Sequence, residues 1–184
     1  MYDVLILYSG GADSRLLLEI AIKLNLNPFC LFIDYGQKIK GEEMQKMING
    51  CEKYSVDKKT VIINGLGLNS GLTGTLEKGR FEDVHPMSVP RRNTIFLSIA
   101  SSFAENLGIN KIWFGPDWSD NLNSFPDCKQ EFINKFNELS KINGSTTITV
   151  EAPVLGLTKE MVIEHLDKIY KVEKTEYFSG YGNL

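Results

Sequence analysis

Six consecutive residues near the amino end, Ser9-Gly10-Gly11-Ala12-Asp13-Ser14, directly follow the apolar run Val4-Leu5-Ile6-Leu7-Tyr8. An apolar run that breaks into two glycines and then into a helix is the pattern of a phosphate cradle. The glycines reach backbone conformations that a Cβ would forbid, so successive N–H groups can converge on one anion. The helix that follows, through about Leu24, brings the positive end of its dipole to the same point. Ser9 and Ser14 add hydroxyl donors, and Asp13 is the one carboxylate in the loop. A bare phosphate repels a carboxylate unless a cation lies between them, so Asp13 points to magnesium. The loop is neither a Walker loop, whose Lys-Ser/Thr ending it lacks, nor a dinucleotide loop, whose glycine spacing it does not match. The plain alternative is a Gly-rich turn between a strand and a helix.

Four further segments carry residue types suited to the same chemistry. Asp34-Tyr35-Gly36-Gln37-Lys38, with Glu42 and Glu43 beyond, follows the second apolar run and suits contact with a nucleotide, Lys38 lying near phosphate; the alternative is a surface turn. Val89-Pro90-Arg91-Arg92-Asn93 opens a helix. A guanidinium and an amide at a helix start make an oxyanion or phosphate clamp, unless Asn93 is simply the N-cap and the arginines are solvated. In Pro126-Asp127-Cys128-Lys129-Gln130, Asp127 with Gln130 three residues on also reads as a capping box. Glu151-Ala152-Pro153 leads to Lys159 at the start of the last helix, where it reaches phosphate or stands as a surface lysine.

These segments need a frame that brings them together. Strands are expected at 4–8, 28–33, 60–63, 112–114 and 148–150, and helices at 15–24, 42–54, 94–107, 129–141 and 159–169. In the third helix Ile95, Ile99, Phe103 and Leu107 recur at i+4 and predict one buried stripe. Strand–helix alternation predicts an α/β fold, a parallel five-stranded sheet with helices on both faces. Ligands of such sheets collect beyond the carboxyl ends of the strands, and each segment above falls at such an end or at a helix start. Residues 64–89 are too long and Gly-rich for a plain connection and are expected to form an active-site flap. His85 on that flap is a weak acid–base candidate, and His165 is expected on a helix surface.

Bulk composition narrows the class. A chain of 184 residues fits a single domain (1–184, with 170–184 as its tail) and buries roughly 70% of its unfolded surface. Hydrophobic content is 42% and charged content 23%, which is ordinary for a globular protein. The net charge of −3 argues against a mainly electrostatic grip on nucleic acid and favours small substrates. No stretch approaches membrane-spanning length and no signal peptide precedes the first strand, so a cytoplasmic enzyme is expected. Cys30, Cys51 and Cys128 are too scattered for a disulfide framework or a metal knuckle, and buried thiols are expected at Cys30 and Cys51.

The loop Ser9–Ser14 resembles that of the ATP pyrophosphatase superfamily, which activates a substrate oxygen by adenylation. With Asp34-Tyr35-Gly36-Gln37, Val89-Pro90-Arg91-Arg92-Asn93, Pro126-Asp127-Cys128 and the Pro153–Lys159 segment in this order, the chain resembles the 7-cyano-7-deazaguanine synthase family from about Asp3 to Thr175. That resemblance implies an adenine nucleotide alpha hydrolase-like fold. It also implies ATP-dependent conversion of 7-carboxy-7-deazaguanine and ammonia into the nitrile, in the route to queuosine. The implied nucleotide site comprises Tyr8, Ser9, Gly10, Gly11, Asp13, Ser14, Asp34, Tyr35, Gln37, Arg92, Asn93 and Gly115. Asp13 and Asp120 would hold magnesium. Lys38, Arg92 and Lys159 would stabilise charge, and Asp127 and Asp120 would serve metal, ammonia or base recognition.

The family's usual Cys-rich, zinc-binding tail has no counterpart in Thr175–Leu184, so no zinc is expected. Arg91 stands where the family usually has glycine, Ile39 where histidine is common, and Arg15 where a small residue is usual. Two other readings remain: an adenylating relative that stops at the amide or acts on another carbonyl, and a non-catalytic nucleotide-binding relative. A homodimer is a further expectation, with the Phe132/Phe136 helix as a contact.

Overall fold

The computed structural model describes residues 1–67, 70–74, 88–116 and 125–177. Its centre is a five-stranded sheet of β1 (Val4–Leu7), β2 (Pro28–Asp34), β3 (Asp57–Ile62), β4 (Lys111–Trp113) and β5 (Thr149–Glu151). The strands run in the order β3-β2-β1-β4-β5 and every pairing is parallel, as the alternation of elements predicted. The order reverses beside β1, because the chain builds outward through β2 and β3 and then returns to add β4 on the other side. The crevice above β1 and β4 is therefore the place where such a sheet takes a ligand.

Alternation along the strands sends side chains to two apolar layers. Val4, Ile6, Tyr8, Cys30 and Phe32 face α1 (Ala12–Lys23), α2 (Lys40–Lys53) and α5 (Lys159–Glu164). Leu5, Phe29, Leu31, Ile33 and Ile112 face α3 (Arg92–Leu107) and α4 (Gln130–Ser140). In α1, Leu16, Leu17 and Leu18 are all inaccessible to solvent, each burial contributing roughly 1.5–3 kcal/mol. All three cysteines are buried free thiols, Cys30 and Cys51 in the α1/α2 layer.

Several elements differ from the sequence expectation for identifiable reasons. Helix α1 starts at Ala12, not Arg15, so Asp13 and Ser14 lie in its first turn. Strand β3 starts at Asp57, because edge pairing with Phe29–Asp34 holds the polar residues Lys58 and Lys59 in register. The last helix spans the expected residues but changes its winding, α5 (Lys159–Glu164) running directly into a π turn over His165–Ile169. The buried line of α3 is Leu97, Ala100 and Ala104, with Ile99, Phe103 and Leu107 flanking it and only partly buried. The alanines let the helix approach the sheet closely, which displaces the stripe drawn from large side chains alone. Phe136 is buried, and Phe132, partly buried, packs beside it.

Candidate functional site

The loop after β1 is shaped by contact with α2. Gly10 has φ +80°, and a Cβ built on it would lie 2.4 Å from the Glu43 carbonyl oxygen and 2.9 Å from Lys46 Cβ. Positive φ and this close approach both require glycine. The Ser9 and Ser14 hydroxyl oxygens lie 3.2 Å apart, the Gly11 N–H donates to Ser9 Oγ at 3.3 Å, and the Ser14 hydroxyl donates to the Gly11 carbonyl at 3.0 Å. The hydroxyls thus brace the turn. Gly11 stands at the N-cap of α1 and contributes no side-chain cap, leaving the helix start to main-chain chemistry.

Two neighbours complete the crevice. Gly115, just beyond β4, lies close to α1: an added Cβ would come within 3.5 Å of the Asp13 main-chain carbonyl carbon and Cβ. Lys159, the first residue of α5, forms an ion pair with Asp13. The preceding Thr158 caps that helix by accepting from the Met161 N–H at 3.3 Å. Three of the expected residues, Asp13, Gly115 and Lys159, therefore meet at the switch point although they lie up to 146 positions apart.

The segment after β2 is organised chiefly by its own contacts. Gln37 is buried, accepts from the Tyr35 N–H at 2.9 Å and donates to Glu43 Oε2 at 2.9 Å. Asp34 accepts from the Gly36 N–H at 2.9 Å and pairs with Lys40 at 3.0 Å. Lys38 is exposed, its main-chain N–H donates to the Leu72 carbonyl, and its stem lies over Gly74. Gln37 and Asp34 thus hold the loop, while Lys38 stands at its edge. The described part of the expected flap is anchored here: Leu72 and Val89 are buried against Tyr35. Residues 75–87 with His85, and Asp120, lie outside the described residues.

At the start of α3 the plain capping reading fails in an informative way. Asn93 is the second residue of the helix and not its N-cap; Arg91 holds the cap position with φ +58°. The Asn93 N–H is met at 3.2 Å by Asp127 Oδ2, and the Asn93 side chain donates to the Asp127 carbonyl at 3.3 Å and toward Cys128 Sγ at 3.4 Å. Asp127 is thus committed to another helix and does not cap α4, whose N-cap is Lys129. Arg92 lies 5.8 Å from the ring centres of both Tyr35 and Phe96 and donates to the Tyr35 hydroxyl at 3.4 Å. A planar cation over two aromatic rings is a surface on which a flat heterocycle can also stack.

One constellation was missed in the sequence. Arg15 is fully buried and donates to Glu19 at 2.8 Å and to Glu176 at 2.9 Å. The Tyr54 hydroxyl donates to Glu19 at 2.8 Å, and Lys53 pairs with Glu176 at 2.9 Å. Burial works against the Arg15 charge, but the carboxylates of Glu19 and Glu176 outweigh it and hold the guanidinium charged. Burial likewise opposes the charge on Glu176, and Lys53, the Glu173 amide and Arg15 bring its carboxyl below the usual range. The available signal was an arginine directly before the apolar run Leu16–Leu18, with Glu19 four residues on.

Among the described residues no group of three or more His, Cys, Asp or Glu side chains could hold a metal, and no helix is long and apolar enough to cross a membrane. Comparison with known proteins gives close and distant likenesses. A 7-cyano-7-deazaguanine synthase of Marinomonas sp. is 34% identical over 166 residues, covering 86% of this chain and 75% of that protein. One from Picrophilus torridus is 35% identical over 170 residues, covering 86% and 70%. Among solved structures, the tRNA thiolase NcsA of Methanococcus maripaludis superposes with a TM-score of 0.63 at 15% identity, over 94% of this chain and 58% of that one. The NMN synthetase of Francisella tularensis gives 0.52 at 15%, over 95% and 64%. These distant likenesses establish the fold, and this chain spans less than two thirds of either structure. The family model described as queuosine biosynthesis protein QueC matches residues 3–183, and the chain belongs to that family.

Proposed function

We propose that the protein converts 7-carboxy-7-deazaguanine and ammonia into 7-cyano-7-deazaguanine, driven by ATP. The observation that carries this reading is the Gly10 turn at the carboxyl end of β1, closed on one side by Lys159, in a chain of this family. A carboxylate is a poor electrophile, so one oxygen must first become a leaving group. Its attack on the α-phosphorus forms an acyl-adenylate and breaks the bond to the β-phosphate, releasing pyrophosphate. The turn at Ser9–Ser14 and the positive end of α1 receive that anion, and Lys159 neutralises charge building on it. Arg92 supplies a second cation from the α3 side, over the face formed by Tyr35 and Phe96.

Asp13 fits a magnesium site of the kind that takes one or two carboxylates plus phosphate oxygens, and with Asp120 it would hold an ion that offsets phosphate charge. Ammonia then attacks the carbonyl carbon, expels AMP and loses a proton to give the amide. The amide oxygen attacks the α-phosphorus of a second ATP and expels pyrophosphate, and loss of AMP and the two nitrogen-bound protons yields the nitrile. Asp127 contributes by fixing the start of α3, and so the bearing of Arg92. The decisive experiment incubates the protein with ATP, magnesium, ammonium and 7-carboxy-7-deazaguanine and weighs the products. The nitrile with two AMP and two pyrophosphate per turnover is expected. Accumulation of the amide removes the second step, and unchanged acid with no AMP overturns the reading.

A further inference from the structure

Arg15 is one residue past the phosphate loop, fully buried and charged, yet the chemistry above gives it no task. Its guanidinium fork ties the first turns of α1 to Glu176, in the short turn Lys174–Glu176, and its Nη1 also donates to the Glu176 carbonyl at 3.4 Å. The same turn reaches the loop by a second route. Lys46 Nζ bonds the Thr175 carbonyl, and the Lys46 Cβ lies where a side chain on Gly10 would stand. Val172 and Tyr177, on either side of the turn, are buried in the layer that contains α1 and α2. Glu176 itself is shared by Arg15 from α1 and Lys53 from α2. The carboxyl end of the described chain is therefore wedged between the two helices that shape the cradle.

We propose that this turn is a working part of the phosphate site, with Arg15 and Glu176 as positioning residues that hold α1 and α2 at the spacing the Gly10 turn needs. This rests on the nucleotide reading given above. Because coupling between two sites is reciprocal, nucleotide in the loop must tighten the turn as much as the turn favours nucleotide. Glu176→Gln keeps the shape and removes the charge, and it sits on the half-buried side of the pair, where loss of the fold is least expected. Its KM for ATP should rise about tenfold with kcat within about twofold, a size usual for coupled sites. Amide exchange over residues 10–15 should quicken by a similar factor.

Glu176→Asp should recover part of both effects, and Glu138→Gln, in an exposed pair with Lys135, neither. In the unaltered protein, saturating ATP with magnesium should slow tryptic cleavage after Lys171 and Lys174. Wild-type KM together with wild-type exchange in Glu176→Gln would overturn the proposal. If the unaltered chain shows no response to ATP at all, the nucleotide reading fails instead, and exchange across residues 10–15 still decides whether the turn braces the loop.

Discussion

Two helix starts flank the crevice, and they are finished in opposite ways. Helix α1 opens on glycine, with no side-chain cap and a turn braced by its own serine hydroxyls. Helix α3 opens on a left-handed arginine, and one of its first amides is met by the carboxylate of Asp127, from a turn 34 positions away in sequence. A helix start attracts negative charge wherever it occurs. Here one start carries no side-chain carboxylate on its cap, while the other is met by a resident one. On the proposed reading, phosphate would meet the start of α1, and α3 would contribute the Arg92 side chain and not its main chain.

That contrast can be broken by mutation. The largest effect is expected from Asp13→Ala, which should lower kcat about a thousandfold, in the range seen when one electrostatic contact to a transition state is lost. Its thermal stability should hardly change, since the partly exposed pair with Lys159 contributes no more than about 1 kcal/mol. Full activity in this variant would remove α1 from the chemistry. Gly10→Ala comes next. A Cβ 2.4 Å from the Glu43 oxygen must move α2 or the loop, so a loss of about 3 kcal/mol and of ATP binding is expected from denaturation and calorimetry. Asp127→Ala should cost about 1–2 kcal/mol, as the loss of an N-cap does, and weaken ATP binding a few-fold through the loosened bearing of Arg92. A collapse of ATP affinity with stability unchanged would instead place Asp127 on the ligand. The smallest change is Arg91→Gly, which relieves a left-handed residue and should raise stability by about 1 kcal/mol in a urea titration.

The fold was legible because it rests on short-range pattern: apolar runs such as Val4–Leu7 and Phe29–Ile33, separated by amphipathic stretches, admit few arrangements other than a parallel sheet. The phosphate turn was legible for the same reason, since its glycines, serines and aspartate are contiguous. What escaped was the pairing of particular side chains across distant segments. Asp127 followed by Gln130 looks like a local cap, and no feature of the sequence announces that its carboxylate serves Asn93 instead. Arg15 and Glu176 lie 161 positions apart, and their pairing emerges only once α1 and α2 pack side by side. Gln37 is expected at the nucleotide for its place in a motif, and its contacts with Tyr35 and Glu43, which also order the loop, could not be read from that motif. A motif marks which residues matter; folding decides whether each one faces a ligand or a neighbour.

The shielded sulfurs give the molecule a built-in gauge of its own breathing. Cys30 and Cys51 lie in the layer that contains α1 and α2, and Cys128 lies against the start of α3. A thiol reagent too large to enter the core therefore registers loosening of the α1/α2 layer and of the α3 start separately, by which sulfur it finds first.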